Sequence, residues 1–279
     1  MAAVLGGKRS KKRAAFHLLL SVTALWFFYP MIWMVMSSFK TNRKIFSEPF
    51  ALPESLNFGR WAEAWQSGHL SRYAFNSVIV TSVTVLFVLF FASMAAYAFS
   101  KWRFKGGKLL LSLFIAGLFL PVQSYFIAQN ELVAFLKLRD THWALIVPYI
   151  AIGLPLAIFL LKAYIDTIPG EMTDSARMDG CKEWQIYSRI IIPVILPGLA
   201  TVAIFTSLNA WNEFLLAILY IQDNAYKTIP AGLLTFSSRY VTDYSKLFSA
   251  LSLVTIPMIA VYVLFSRHII AGLTEGAIK

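Results

Sequence analysis

Six stretches of this 279-residue chain run without a single Asp, Glu, Lys or Arg: residues 18–39, 75–100, 109–130, 143–161, 190–212 and 247–266. Each meets or approaches the roughly 20 apolar residues that a helix needs to cross about 30 Å of hydrocarbon. The runs are apolar on all sides, unlike barrel strands, which alternate polar and apolar positions over about 10 residues. Backbone groups in lipid must pair within their own segment, so each run predicts a helix. The pattern therefore predicts an all-α fold, a polytopic membrane protein of six transmembrane helices, with residues 1–279 forming one transmembrane domain. The basic cluster from Lys8 to Arg13 followed by an apolar run is also the opening of a signal peptide. Here the run continues to Phe39 with no small-residue cleavage site, so a retained helix is expected.

The polar connectors are unequal. Residues 40–74 and 221–246 make two long ones, the first with Pro49, Pro53, Trp61 and Trp65. Residues 162–189 make a third. Lys and Arg set the sidedness. If the N-terminal tail, residues 1–15, is inside, the inside segments carry fifteen of these residues and the outside segments ten, five of them in the long first connector. Both termini and the 162–189 connector are thus expected to be cytoplasmic.

Composition agrees: 58% of residues are hydrophobic, 14% are charged, and the mean hydropathy is +0.65. An average soluble domain has about 25% charged residues. The net charge of +11 fits the positive-inside bias, and with no basic stripe interleaved with aromatics away from the membrane flanks, nucleic acid is not an expected partner. The single Cys181 excludes an intramolecular disulfide, and His17, His69, His142 and His268 are too scattered for a metal site. No Gly-x-x-x-x-Gly-Lys-Ser/Thr phosphate loop occurs, and Gly106, Gly107 and Lys108 form only a basic flank. Neither catalysis nor a cofactor of the chain's own is expected.

The 162–189 connector is the one inside segment long enough for structure of its own. Pro169 suits a helix start and Glu171 complements its positive end. The helix should run to about Met178 and end at Gly180. In a second helix Trp184, Tyr187 and Ile191 share one face while Lys182, Gln185 and Arg189 share another. Pro193 should kink the chain as it enters the membrane. This places Ala176, a small residue, near the exposed crest of a short helix, where another protein can approach. An amphipathic connector packed on its own bundle would show the same pattern.

Glu213 is the acidic residue flanked by long apolar runs on both sides, and Asn209, Trp211 and Asn212 lie beside it. A charge within a membrane usually faces a cavity or a partner. Aromatic faces with nearby amides suit a sugar. A structural polar cluster at the outer boundary would read the same way. Asn76, Gln123, Gln129 and Asn130 fall near helix ends, where capping or interhelical bonding is expected. Pro121, Pro148, Pro155 and Pro257 mark kinks, mobile or static.

The 162–193 segment resembles the EAA loop of carbohydrate ABC importer permeases, the inner-membrane subunits of the maltose-permease type. That pattern is Glu-Ala-Ala, three residues, Gly, about nine residues, Ile, two residues, Pro. The matching positions are Asp174, Ser175, Ala176, Gly180, Ile190 and Pro193, with Asp174 in place of Glu and Ser175 in place of Ala. Asp179 before Gly180, and Pro197, are similar to the carbohydrate branch. Ser37 to Thr41, Ala96 to Ser100 with Arg103 and Phe104, Trp211 to Phe214, and the ending Gly272 to Ala277 resemble it too, in the same order.

The resemblance implies a type I ABC importer permease fold with a cytoplasmic coupling helix in a prokaryotic cell membrane. Glu171, Asp174, Ser175, Ala176, Asp179 and Gly180, with Ile190 and Pro193, would form the site that docks a cytoplasmic ABC ATPase dimer. ATP would be used by that partner. A second homologous permease subunit, an extracytoplasmic solute-binding protein and a sugar substrate complete the implied assembly. A permease of the same superfamily for a polyamine, phosphate or amino acid is the alternative. A membrane enzyme would need clustered His, Asp or Glu at one membrane face. A self-contained transporter would usually carry several mid-membrane ionisable groups, and Glu213 is the one candidate.

Overall fold

Prolines lie within the apolar runs, and the backbone breaks or bends beside Pro121 and between Pro193 and Pro197. The computed structural model of the chain describes residues 2–102, 104–237 and 242–277, with side chains described for 16–102, 104–237, 242–259 and 263. Arg103 and Lys279, and the side chains of Lys8 to Arg13, His268 and Gly272 to Ala277, lie outside the described residues.

In chain order the helices are α1 (Ala2–Ser37), α2 (Asn42–Ser47), α3 (Gly59–Ser67), α4 (Leu70–Lys101), α5 (Gly107–Gly117), α6 (Phe126–Phe135), α7 (Trp143–Asp166), α8 (Gly170–Met178), α9 (Glu183–Ile186), α10 (Ile192–Val194), α11 (Leu196–Asn212), α12 (Leu215–Tyr220), α13 (Ile229–Gly232) and α14 (Tyr244–Ala277). The described extended pairing is one isolated bridge between Ser237 and Thr242, so the fold is all-α.

Three helices are long and apolar enough to cross a membrane among the described residues: Phe16–Ser37 of α1, α4 and α7. The pair Glu183–Val194 and Leu196–Asn212, bent by 75°, makes a fourth if it is counted as one span. Gly107–Gly117 and Tyr244–Ile259 are shorter apolar helices. The third apolar run, expected as one helix over 109–130, is divided between α5 and α6. Pro121 lies in the gap, followed by a 3-10 turn over Val122–Ser124. Proline has no N–H to donate and disfavours helical backbone at the residue before it. The sixth run continues unbroken through Pro257 within α14.

The described residues gather into two compact units, residues 1–70 with 233–258 and residues 71–232 with 259–279. In the first, the segment Ser37 to Thr41 is the knot. Ser37, Ser38, Phe39 and Lys40 are all buried. The Phe39 ring stacks on Trp61 at 5.3 Å. Trp61 Nε1 donates to Ser38 Oγ at 3.0 Å, and Ser249 Oγ donates to the Ser38 carbonyl at 3.1 Å. Lys40 Nζ donates to the carbonyls of Glu48 and Pro49, and Thr41 caps α2.

The second unit holds α4 to α13. Its main core packs Val88, Ala92 and Ala96 of α4 with Ala157, Ile158, Leu161 and Ile165 of α7, Ile186 and Ile191, and Val202 of α11. Small residues at the contact let helices approach closely, which favours association where lipid is as apolar as the helix surface. A Cβ built at Gly153 would lie 3.2 Å from Val88 Cγ2, so the Val88 side chain of α4 packs against the backbone of α7 there.

Candidate functional site

The helix α8 begins after Pro169, whose extended backbone makes it the cap rather than the first turn expected from the sequence. Glu171 occupies that first turn. At the other end the N–H of Cys181 bonds to the Ala176 carbonyl and the N–H of Gly180 to the Arg177 carbonyl, both at 3.0 Å. Gly180 sits at φ +82°. This is a Schellman ending, which satisfies carbonyls left over by the last turn and needs the left-handed residue that glycine supplies.

Glu171, Met172, Asp174, Ser175, Met178, Asp179 and Gly180 are exposed, whereas Thr173 and Ala176 are buried. Ala176 is therefore not on the exposed crest where the sequence reading put it. It lies three residues from Thr173 on the inner stripe of a short amphipathic helix and joins the core with Ile168, Ile186 and Tyr187. Ser175 takes its place as the small residue on the open face. Met178, 88% exposed, is the most open large apolar side chain of α8 and had no role in the sequence reading.

Lys182 N–H donates to Gln185 Oε1 at 2.8 Å, which starts α9. The helix then widens into a π turn over Tyr187–Ile191. Ile192 N–H closes that turn on the Tyr187 carbonyl, and Pro193, which has no N–H, follows. The main bend falls at Ile195, between Pro193 and Pro197. Ile190 is half-buried and Pro193 exposed. Of the face expected to be shared, Tyr187 and Ile191 are buried, while Trp184 lies against Tyr187 at 5.3 Å and is 59% exposed.

A polar network that the sequence did not reveal holds this loop in place. Glu183 accepts from Arg177 Nε at 2.8 Å, from the Tyr97 hydroxyl at 2.6 Å and from Trp102 Nε1 at 3.3 Å. Arg177 also donates to Asp174 at 2.7 Å. The hydrogen bond to Glu183 pushes the Arg177 pKa further up, so the guanidinium is permanently charged. Ser93 and Tyr187 share a hydroxyl bond at 2.7 Å. Ser100 donates to Asp166, which also pairs with Lys162, and Lys101 Nζ donates to the Ile168 carbonyl at 2.7 Å. The available signals were the three-residue spacing of Asp174 and Arg177 and the hydroxyls of Tyr97 and Ser100 in a segment noted only for its family resemblance.

Within the same unit a cavity of about 330 Å³ lies against α4, α7 and α11. Tyr149, Gly153, Phe205, Thr206, Asn209 and Glu213 are among its lining residues. Asn209 and Glu213, four residues apart, thus meet on one wall. Trp211 and Asn212 do not line it, and Asn212 Nδ2 bonds back to the Leu208 carbonyl at 2.8 Å. Glu213 sits between α11 and α12. Its carboxylate accepts from Leu216 N–H at 2.9 Å, Ala217 N–H at 3.1 Å and the Tyr149 hydroxyl at 2.7 Å. Most of its hydrogen-bonding capacity goes to capping α12 and tying it to α7.

Asn76 and Gln129 are also engaged. Asn76 Nδ2 donates to the carbonyls of Ala225 and Lys227, which leaves its Oδ1 for His142 Nε2 at 3.0 Å. Tyr220 donates to Gln129. Among the described residues no three His, Cys, Asp or Glu side chains are grouped to hold a metal. Cys181 is a free, half-buried thiol.

Residues 88–274 match the protein family described as binding-protein-dependent transport system inner membrane component. The chain is 37% identical to the probable ABC transporter permease protein YurM of Bacillus subtilis over 251 residues, covering 90% of this chain and 83% of that protein. It is 33% identical over 268 residues to the diacetylchitobiose uptake system permease protein NgcG of Streptomyces coelicolor, covering 94% and 88%. It is 32% identical over 267 residues to the multiple sugar-binding transport system permease protein MsmG of Streptococcus mutans, covering 94% and 96%. Among solved structures, a chain of a bacterial ABC transporter involved in import of the acidic polysaccharide alginate matches with a TM-score of 0.78 at 20% identity, over 91% of this chain and 94% of that one. That likeness is one of fold.

Proposed function

This chain belongs to the family of inner membrane components of binding-protein-dependent transport systems, and we propose that it is one of two homologous permease subunits of an ATP-driven importer that takes a sugar or oligosaccharide into a prokaryotic cell. It is a transport subunit and not an enzyme. The observation that carries the sugar assignment is the match over more than nine-tenths of the chain to permeases named for diacetylchitobiose and multiple-sugar uptake.

In this reading α8 is the coupling helix, both termini are cytoplasmic, and a cytoplasmic ABC ATPase dimer docks on the exposed face of α8. Glu171, Asp174, Ser175 and Asp179, with Met172 and Met178, supply that face. Ala176 sets its shape from behind, Gly180 ends the helix at its edge, and Ile190 and Pro193 follow in the next turns of the loop. ATP binds to and is hydrolysed on the partner, whose closure rocks the helices between inward-open and outward-open states. Such a cycle requires that nucleotide and sugar each bind the two states differently. An extracytoplasmic solute-binding protein, as in the alginate transporter solved in complex with a periplasmic protein, rests on the connectors 40–74 and 221–246.

The sugar passes the cavity. Its volume of about 330 Å³ is at the lower end of the range of about 300–1,000 Å³ for small-molecule sites. Phe205 and Tyr149 offer aromatic faces, and Asn209 and Glu213 offer polar groups on one wall. Purification of the tagged chain from its host in mild detergent should recover an ATPase and a second permease. Proteoliposomes holding that complex should take up a sugar only with ATP and the binding protein. Recovery of the chain alone with transport intact would overturn the reading.

A further inference from the structure

Glu183 stands where three parts of the second unit meet. Arg177 reaches it from α8, Tyr97 from the last turns of α4, and Trp102 from the residue after α4. Both oxygens are engaged, Oε1 by Arg177 and Oε2 by Tyr97 and Trp102. Two further ties run from α4 into the same region, from Ser93 to Tyr187 and from Lys101 to the Ile168 carbonyl. The helix α4 also forms part of the cavity wall through Thr84, thirteen residues before Tyr97. At 1.5 Å of rise per residue that is a lever of about 20 Å.

Resting on the coupling-helix reading above, we propose that Glu183 is the joint that makes α4 follow α8, a positioning residue that carries movement of the ATPase-docking face to the cavity wall. The apolar packing of Ile186, Tyr187 and Ile191 against α4 and α7 already holds the segment down. The Arg177 and Glu183 side chains are 36% and 42% exposed, and ion pairs that exposed add little to stability. What the cluster adds is direction. A carboxylate held by a guanidinium on one side and a hydroxyl on the other cannot slide past either without losing a charge-assisted bond. A greasy contact alone permits such sliding. The same cluster places Asp174 of the docking face in the network, through its bond to Arg177.

The test compares the complete importer, reconstituted with its binding protein, with Glu183→Gln, Tyr97→Phe and the double variant. Sugar uptake and ATP hydrolysis are read on the same vesicles, so the quantity measured is sugar moved per ATP. Both single variants should keep hydrolysis within about twofold while sugar per ATP falls at least about fivefold, the low end of ordinary coupling between sites. The double variant should be no worse than the poorer single one, as expected when two residues act through one contact. A merely structural role would lower uptake and hydrolysis in proportion, and that result, like an unchanged ratio, overturns the proposal. Tyr97→Phe removes one oxygen and keeps the ring, so it guards against a Glu183 variant that fails to assemble. A wild-type complex that moves no sugar with ATP overturns the importer reading and the joint with it.

Discussion

Gly180 separates bulk from strain. Its φ of +82° lies in the left-handed region, and a Cβ built there meets nothing within 4 Å. Alanine therefore carries only the backbone cost of that conformation, about 1–2 kcal/mol for an L-residue. That is a factor of about 5–30 in the folded-to-unfolded ratio. Arginine carries the same backbone cost, and its Cβ likewise meets nothing within 4 Å. The two substitutions should therefore lower the thermal stability of the detergent-purified chain equally. They should differ in transport. Gly180→Ala should keep most uptake at matched expression, while Gly180→Arg should abolish it and lose the co-purifying ATPase, because the added bulk stands beside the docking face. Normal uptake by Gly180→Arg would refute the coupling assignment. Equal loss in both would show that strain in the Schellman turn, not docking, is what matters. Ala176→Trp is not an equivalent probe, since Ala176 is buried and the larger ring would be an overpacking test costing about 1–3 kcal/mol. Ser175→Trp, on the exposed face, is the equivalent probe.

At Gly198 an added Cβ would lie 2.7 Å from Tyr164 Cδ2, so Gly198→Ala should cost about 1–3 kcal/mol by overpacking α11 on α7; an unchanged melting temperature would mean that the ring gives way. Glu213→Ala removes three hydrogen bonds and should destabilise the chain by about 1–3 kcal/mol whether or not sugar touches it, whereas Asn209→Leu should weaken uptake with no change in melting. Loss of stability in both would leave the cavity a structural feature. Burial lowers the pKa of His142 below its ordinary 6.5, so its contribution to stability is present above pH 6.5 and is lost as pH falls through the lowered value. Melting of the wild type should therefore drop on acidification from pH 8 to pH 5 more than melting of His142→Gln, and identical slopes would remove the histidine from the account.

The apolar runs announced an all-α membrane fold because a span in lipid has to be apolar along its whole length, and that is a composition signal. They did not announce that the third run is divided at Pro121 or that the fifth bends by 75° at Ile195. A proline inside an apolar run signals a kink without its size, and Pro148, Pro155 and Pro257 sit inside continuous helices. In the loop, Gly180 as terminator was legible because glycine has a specific backbone role there. The burial of Ala176 was not, because a nine-residue helix has no long apolar stripe to orient it. Tyr97 and Glu183 lie 86 residues apart, and no local pattern reveals such a pair. Glu213 was singled out for its place between apolar runs, but its three hydrogen-bond donors come from α7 and from backbone turned by the break after α11.

The segments quoted for their resemblance need not share one task. Ser37 to Thr41 ties the end of α1 to the segment after α2, to α3 and to the start of α14 through backbone carbonyls, the Ser38 hydroxyl and Lys40. Ala96 to Ser100 with Lys101 does something different. Ala96 lets α4 sit close in the core, Tyr97 and Lys101 reach the loop around α8, and Ser100 meets the end of α7. The helices α4, α7 and α11 line the cavity, and α4 is tied to the loop through these polar ends while α7 and α11 are joined to α8 covalently, α7 through residues 167–169 and α11 through α9 and α10. A force applied to α8 thus has a short path to each cavity wall, covalent to α7 and α11 and through hydrogen bonds to α4. The covalent path to α11 runs through the π turn and two prolines, which can absorb motion, whereas α4 has no direct covalent link to α8 and follows it through the Glu183 and Tyr97 contact. That asymmetry is why the polar joint, and not the kinked connection, is expected to set how faithfully transport follows hydrolysis.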